Sequence, residues 1–111
     1  MSQTRSDQIR TLNDAFRRHL NGHGQLLITR GVEAAGEAFV MSALGTVQEF
    51  DDFSEDNDPY GEHDFGAFEL DGRKLFWKID CYDRSLEAGS PDPADPEVTC
   101  RVLTVMLADE Y

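Results

Sequence analysis

The sequence has few cysteines and no long apolar segment. Its 111 residues include two cysteines, Cys81 and Cys100, which lie outside any C-x-x-C pattern and could form at most one bridge. No apolar stretch follows Met1, and no run approaches the length that crosses a membrane, which argues against a signal peptide and a membrane anchor. These absences predict a cytoplasmic protein with two reduced thiols.

Basic residues are also scarce. Ten Lys and Arg stand against 22 Asp and Glu, which gives a formal net charge of −12 at pH 7. A negative field of this size repels nucleic acid and anionic membrane surfaces and attracts basic proteins. The charge balance therefore argues against direct binding to nucleic acid or membranes and predicts a basic protein partner.

Apolar residues, by contrast, are sufficient for one core. Hydrophobic residues make up 40% of the chain and include seven Phe, more than a disordered sequence carries. A chain of this length buries roughly two-thirds of its unfolded surface, so it can fold without a disulfide or a metal. We predict a single compact domain over residues 1–111, and no motif indicates a cofactor.

The first helix is predicted over residues 4–20, where apolar side chains recur at intervals of three and four. Either Ser6, or Thr4 with Asp7 three residues later, can cap the start of this helix. Arg17 and Arg18 fall on its polar side near the C-terminal end, where cations suit the helix dipole. That position gives the small basic cluster a structural explanation.

A strand and a second helix are predicted after the first helix. Asn21 and Gly22 would end the first helix, because both residue types tolerate left-handed backbone. The short apolar run over residues 25–29 then indicates a buried strand. Helical spacing returns over residues 32–50, where Gly36 weakens the helix and marks a point at which it could break.

The clearest structural signal is a β-hairpin over residues 64–82. Asp71-Gly72 between two alternating runs is typical of a type I′ turn. With the turn placed there, Gly66 lies opposite Trp77 and leaves room for the indole ring. One face of the hairpin then carries the predicted core side chains, namely Phe68, Leu70, Leu75, Trp77, Ile79 and Cys81.

The C-terminal residues 97–107 allow two predictions. Their Val and Thr content favours a strand, whereas Asp95-Pro96-Glu97 is also a helix start. With the strand, the fold class is α+β: two helices packed on a small antiparallel sheet of about four strands that includes the 64–82 hairpin.

The segment from Glu49 to Asp64 carries eight carboxylates and no Lys or Arg. EF-hand registers that start at Asp51 or Asp52 each put a wrong residue type at a ligand position, so no metal ligands are assigned. A cation site of another kind and a solvated loop both stay open. As an interaction surface, the segment supplies the candidate binding residues Asp51, Asp52, Glu55, Asp56, Asp58, Glu62 and Asp64.

His63 and Asp80 are the candidate catalytic residues, because the hairpin register extended by one rung pairs them across the strands. A His oriented by a carboxylate is the geometry of general bases and of metal ligands. No nucleophile motif and no second ligand pair accompanies them. A structural His–Asp pair that fixes strand and loop is therefore the favoured interpretation.

Phe65, Phe76 and Tyr82 lie on the other face of the predicted hairpin. If the helices cover only one face of the sheet, these aromatic side chains form an interaction patch. If the helices divide between the two faces, the same side chains belong to the core. The sequence leaves both arrangements open.

Four strings of residues carry a family resemblance: NDP-x-GEHDFG (57–66), FWKID-x-YD (76–83), SPDPADP (90–96) and RVLTVML-x-x-EY (101–111). Together they resemble a family of small bacterial proteins known as domain of unknown function 3768. The resemblance implies a compact intracellular bacterial domain and carries over no catalytic residue. Cys81 stands where such proteins tend to have an aromatic residue, which suits the buried face assigned to it.

Three functions follow from these patterns. The first is a small acidic protein that binds a basic protein partner, in its sharpest form a nucleic-acid mimic that inhibits a DNA- or RNA-handling system, of the anti-restriction or anti-CRISPR type. The second is a small metal-dependent or acid–base enzyme that uses His63, Asp64 and Asp80. The third is a regulatory interaction module that forms a homodimer through the aromatic sheet face.

Overall fold

The computed structural model describes residues 3–20 and 24–111. Within them the helices are α1 (Arg5–His19), α2 (Arg30–Ala34) and α3 (Glu37–Glu49), and the strands are β1 (Gly24–Ile28), β2 (Phe65–Leu70), β3 (Arg73–Tyr82) and β4 (Cys100–Leu107). The strands form one sheet in the order β1-β4-β3-β2. The α+β class is confirmed.

The sheet is mixed, so the prediction of an antiparallel sheet is wrong at one pairing. β3 runs antiparallel to both β2 and β4, whereas β1 runs parallel to β4. A parallel pair needs a long connection, and here α2, α3 and the hairpin provide it. The five residues of β1 carry no information about the direction of a partner that follows so much later in the chain.

Of the two caps that the sequence allows for helix α1, the structure has Thr4 with Asp7. The Thr4 hydroxyl accepts a hydrogen bond from the Asp7 amide at 3.0 Å, and the Asp7 carboxylate accepts one from the Thr4 amide at 3.2 Å. The helix ends at Leu20, which has a positive φ of 53°. The predicted stop at Asn21 and Gly22 lies outside the described residues.

The second predicted helix breaks at Gly36. Its φ of 108° is a conformation that side-chain-bearing residues rarely adopt, and it separates the short helix α2 from α3. The fold therefore has three α-helices in its described part instead of the two predicted.

The hairpin forms in the predicted register. Leu70 pairs with Arg73, Phe68 with Leu75, and Gly66 with Trp77. Both turn residues have positive φ, 51° at Asp71 and 78° at Gly72, as a type I′ turn requires. The predicted core face is confirmed, because Leu75, Trp77 and Ile79 are buried and the other side chains of that face pack against them.

All three helices lie on the same face of the sheet. The core joins side chains from each helix to the inward face of the two central strands: Phe16, Val32, Phe39, Ala43, Val47, Leu75, Trp77, Ile79, Leu103 and Val105. The opposite face carries a groove of about 680 Å³ whose lining comes from the strands, from Leu86 and from the C-terminal residues. This face is the open one.

The C-terminal residues follow both of the signals seen in their sequence. Asp95 caps a single 3₁₀ turn over Pro96–Val98, accepting a hydrogen bond from the Glu97 amide. The chain then extends into β4, so the strand prediction is confirmed. The helix-start signal is real but produces only one turn, because the Val- and Thr-rich residues after it favour a strand.

Two glycine substitutions are expected to change stability in opposite directions. A Cβ at Gly66 would overlap the indole of the buried Trp77, so Gly66→Ala should lower the free energy of unfolding by about 2 kcal/mol. A Cβ at Gly45, inside α3, meets no atom, so Gly45→Ala should raise it by about 0.5–1 kcal/mol. Urea denaturation of both variants measures the difference, and two losses of equal size would contradict the close approach of Gly66 to the ring.

Candidate functional site

Arg17 is fully buried, although the sequence pattern placed it on the polar side of α1. Its Nη1 donates hydrogen bonds to the carbonyl oxygens of Val47 at 2.8 Å and Phe50 at 2.9 Å, and its Nη2 donates to Asp14 at 2.9 Å. The two carbonyls belong to the C-terminal end of α3. The prediction that Arg17 interacts with the end of its own helix is therefore wrong. Its positive charge lies at the C-terminal end of α3.

Two aromatic rings enclose the Arg17 guanidinium. Its central carbon lies 5.0 Å from the ring centre of Trp77 and 5.5 Å from that of Phe53. Burial lowers the pKa of Arg17 from its ordinary value, and the Asp14 carboxylate opposes that shift. Arg17 thus joins α1, α3, β3 and the first residues of the acidic segment at one buried point.

His63 does not pair with Asp80, so this prediction is wrong. His63 has a positive φ of 54°, which turns the chain away from β3 and toward α1. Its Nδ1 lies 2.9 Å from Asp14 Oδ1, and its ring stacks on Phe53 with centroids 3.7 Å apart. Asp80 forms an ion pair with Lys78 at 2.9 Å instead.

Both ring nitrogens of His63 face carboxylates. Nδ1 contacts Asp14, and Nε2 lies 3.7 Å from Asp58 Oδ2. A general base needs one nitrogen directed at its substrate. With both nitrogens directed at the protein and one ring face covered by Phe53, the arrangement favours His63 as an anchor for the acidic segment.

The middle of the acidic segment is fastened by its own side chains. Asp58 is only 8% exposed, and its carboxylate accepts hydrogen bonds from the amides of Glu62 at 3.1 Å and His63 at 3.2 Å. Asn57 accepts a hydrogen bond from the Ser54 amide at 2.8 Å and donates one to a backbone carbonyl earlier in the loop. The segment is therefore an ordered loop.

The predicted binding residues of this segment divide into two groups. Asp51, Asp52, Glu55 and Asp56 are exposed, and so is Glu49. The others turn inward, with Asp58 buried and Glu62 and Asp64 partly buried. Among residues 3–20 and 24–111, no three His, Cys, Asp or Glu side chains are arranged to hold a metal ion.

Burial affects the two partly buried acids directly. It raises the pKa of the Asp64 carboxyl, and the negative charges of Asp58 and Asp80 add to the effect. The pKa of Glu62 is raised in the same way, first by burial and then by Asp64 and Asp58. Holding both carboxylates charged therefore costs folding free energy at neutral pH.

An Asp64→Asn variant is expected to be more stable than the wild type at pH 7. Because the pKa of Asp64 is higher in the folded chain than in the unfolded one, its charged form destabilises the fold above that pKa. This cost falls as the pH drops through the folded-state pKa and vanishes below the usual Asp value, near 3.8. Thermal denaturation from pH 7 to pH 3.5 should show the advantage in Tm shrinking, and a constant advantage would contradict the linkage.

A second buried cation supports the same region. Arg101, on β4, donates from Nε to Asn13 Oδ1 at 2.7 Å and from Nη2 to the Pro93 carbonyl at 2.6 Å. Asn13 in turn donates to the Glu62 carbonyl at 2.9 Å, which ties α1 to the acidic segment. No sequence pattern predicted a role for Asn13 or Arg101, since a polar residue in a helix or strand gives no signal of a distant partner.

The open sheet face holds the predicted aromatic patch. Phe65 and Phe76 lie with ring centres 5.2 Å apart, and Tyr111, which was not among the predicted patch residues, contacts both rings. Tyr82 lines the groove further along the face, with Lys78 and the other polar groups of the strands. The structure thus places all three predicted aromatic residues on one face but groups only two of them directly.

The family model for "Protein of unknown function (DUF3768)" matches residues 28–110 of the chain. The match covers most of the sequence, and the chain belongs to this family. Comparison with curated proteins and with solved structures found no match. The family description assigns no activity.

None of the helices in residues 3–20 and 24–111 is both long enough and apolar enough to cross a membrane.

Proposed function

We propose that this protein is a cytoplasmic binding protein that engages a basic protein partner through the exposed part of its acidic segment. Five carboxylates form this acidic surface: Glu49, Asp51, Asp52, Glu55 and Asp56. The observation that carries the proposal is that the surface is exposed while the residues directly after it are fastened into the fold. An ordered array of like charge loses less entropy on binding than a flexible tail does.

The charges of the acidic surface are available to a partner. Within the described residues, none of the five carboxylates takes part in an ion pair. The acids that do pair with cations, such as Asp7, Asp80 and Asp92, lie elsewhere. Uncompensated charge on a surface attracts an oppositely charged partner and increases the rate of encounter.

The distribution of cations strengthens the negative field. Arg17 and Arg101 are buried, so two of the ten Lys and Arg residues are removed from the surface. Each has a structural task inside the protein, Arg17 at the end of α3 and Arg101 beneath α1. The exterior is therefore more acidic than the sequence composition alone indicates.

The cytoplasmic setting has separate support. Cys81 and Cys100 are both free. Cys81 lies on the core face of β3, and the residue paired with it on β4 is Arg101. Cys100 is the neighbour of Arg101 along β4, so its side chain points to the opposite face of the sheet. Two thiols on opposite faces of a sheet cannot form a bridge without rearrangement of the strands.

The test is a measurement of partner binding against salt concentration. Complexes recovered from cells of the source organism are washed at low and at high salt, and the captured protein is identified and titrated. We expect the affinity to fall at least tenfold from about 50 mM to 300 mM salt, because exposed charges are screened within a Debye length of about 10 Å at 0.1 M. A partner held equally at both concentrations would rule out the electrostatic mechanism.

Two fourfold variants separate position from total charge. One carries Asp51→Asn, Asp52→Asn, Glu55→Gln and Asp56→Asn in the acidic surface, and the other carries Glu33→Gln, Glu37→Gln, Glu69→Gln and Asp71→Asn at exposed acids outside it. Both lose the same number of charges. The first should bind about tenfold more weakly than the wild type and the second less than threefold, and equal losses would show that only the net charge matters.

The nucleic-acid-mimic form of the proposal has its own test. A mimic occupies the site that a phosphate backbone would occupy, so double-stranded DNA or RNA added to the complex should displace the protein in a concentration-dependent way. If neither nucleic acid competes, the partner is basic but the mimic form is excluded.

A further inference from the structure

The edge strand β1 lacks the features that normally protect the edge of a sheet. It lies at one end of the strand order, and its sequence, GQLLI, contains no charged residue and no proline. Edge strands in soluble proteins usually carry charges, prolines or bulges that prevent pairing with another strand. An unprotected edge is a surface on which a further strand can pair.

The hydrogen bonds of the sheet show which backbone groups of β1 face outward. The Thr29 amide donates to the Val105 carbonyl of β4 at 3.1 Å. Since backbone groups alternate along a strand, those of Gln25 and Leu27 also face β4, and those of Gly24, Leu26 and Ile28 face away. Within residues 3–20 and 24–111, β1 pairs with β4 alone, so the outward amides and carbonyls of Leu26 and Ile28 take no part in the ladder.

We propose that β1 pairs with β1 of a second copy of this chain, antiparallel and centred on Leu26, to form a continuous eight-stranded sheet. The outward backbone groups set this centre. When Leu26 lies opposite the partner's Leu26 and Gly24 lies opposite the partner's Ile28, the outward groups of the two strands face each other. On the open face, Leu27 then packs against the partner's Gln25. Leu27 is 49% exposed in the single chain, and this contact covers it.

Charge selects a second copy as the occupant. Two copies of a chain with a net charge of −12 repel each other unless they meet at surfaces where no acid faces an acid. Strand β1 offers such a surface, because its sequence has no charged residue. The acidic segment leads into β2, at the opposite edge of the sheet. A basic strand would gain no ion pair on β1 and would favour the carboxylate-rich surfaces instead.

The acid beside the end of the strand is already engaged within its own chain. Glu110 lies beside β1, but its carboxylate accepts hydrogen bonds from the Thr29 hydroxyl at 2.6 Å and from the Gly31 amide at 2.8 Å. The carboxylate is therefore directed into its own chain. The proposed dimer goes beyond the binding function proposed above, because it uses a different surface and a different partner.

Mass measurement across a concentration series tests the dimer. Light scattering after size exclusion, or sedimentation equilibrium, should give twice the 12.5 kDa chain mass at micromolar concentrations. A chain that stays monomeric up to millimolar concentration would overturn the proposal. A monomer that instead pairs β1 with a strand of another protein would overturn it as well.

Charge pairs test the register. Gln25→Glu with Leu27→Glu puts like charges across both symmetry-related contacts, and the dissociation constant should rise at least a hundredfold. Gln25→Lys with Leu27→Glu puts opposite charges across the same contacts and should keep the dimer. Ala67→Glu, at an exposed position on the other edge strand, is the control and should leave the mass unchanged. A dimer that survives the like-charge variant, or that Ala67→Glu dissociates, places the interface elsewhere.

Hydrogen exchange supplies a readout at single amides. In the dimer the amides of Leu26 and Ile28 become hydrogen-bonded, so their exchange should slow as protein concentration rises. The amides of Gln25 and Leu27 already bond to β4 and should show no such dependence. Equal behaviour of all four amides would contradict pairing through this edge.

Discussion

An Arg17→Ala variant should lose about 3–5 kcal/mol of unfolding free energy, which is a large fraction of the roughly 5–15 kcal/mol that stabilises a typical small domain. The substitution removes a fully buried cation and, with it, the hydrogen bonds that the guanidinium donates to the Asp14 carboxylate and to the carbonyls of Val47 and Phe50. Unpaired polar groups in a protein interior cost far more than an exposed ion pair contributes. Urea denaturation followed by circular dichroism measures the loss.

Two matched variants show what Arg17 supplies. Arg18→Ala removes an exposed arginine one position further along the same helix, and its effect should stay within about 0.5 kcal/mol. Arg17→Lys keeps the charge but not the planar group that reaches two carbonyls and a carboxylate, so we expect an intermediate loss. If Arg17→Ala and Arg18→Ala have the same small effect, Arg17 does not hold the end of α3.

The parts of the fold that could be predicted are those set by nearby residues. The hairpin register follows from Asp71-Gly72 and from alternation within about 20 residues, and Thr4 with Asp7 is one of the two caps that the sequence offers for α1. The stacking of Trp77 over Gly66 is part of the same local pattern. In each case the interacting residues are close in the chain, so the sequence pattern contains the information.

The parts that could not be predicted depend on distant contacts. Helical spacing assigns Arg17 to the polar side of α1, but its carbonyl partners on α3 are 30 and 33 residues later in the chain. The parallel direction of β1 depends in the same way on β4, which is more than 70 residues away. His63 left the ladder because of one positive φ, and a His residue gives no clear signal of that conformation.

The candidate site illustrates the same limit. The density of carboxylates between Glu49 and Asp64 could be read from the sequence, but not which of them are exposed. The sequence could not show that Asp58 turns inward and fastens the loop, because its partners depend on the path of the backbone. Within this one acidic segment, some carboxylates are therefore exposed, whereas the Asp58 carboxylate holds the loop that carries them in place.

An Asp58→Ala variant is expected to lower the free energy of unfolding by about 3 kcal/mol and to weaken partner binding. The Asp58 carboxylate accepts hydrogen bonds from the amides of Glu62 and His63 and lies beside the His63 ring. Its removal leaves two backbone donors without a partner, at a cost of about 1–3 kcal/mol each when buried. The loop before it then becomes more mobile, and ordering it on binding costs affinity.

Asp56→Ala is the matched control, because it removes one carboxylate from the same segment at an exposed position. Its effect on stability should be within about 0.5 kcal/mol. Both variants change the net charge by the same amount, so a difference in affinity between them reports the order of the loop and not its charge. Denaturation and titration with the partner at one salt concentration measure both quantities. If Asp56→Ala weakens binding as much as Asp58→Ala while only Asp58→Ala loses stability, the partner responds to charge alone and the fastening of the loop has no part in recognition.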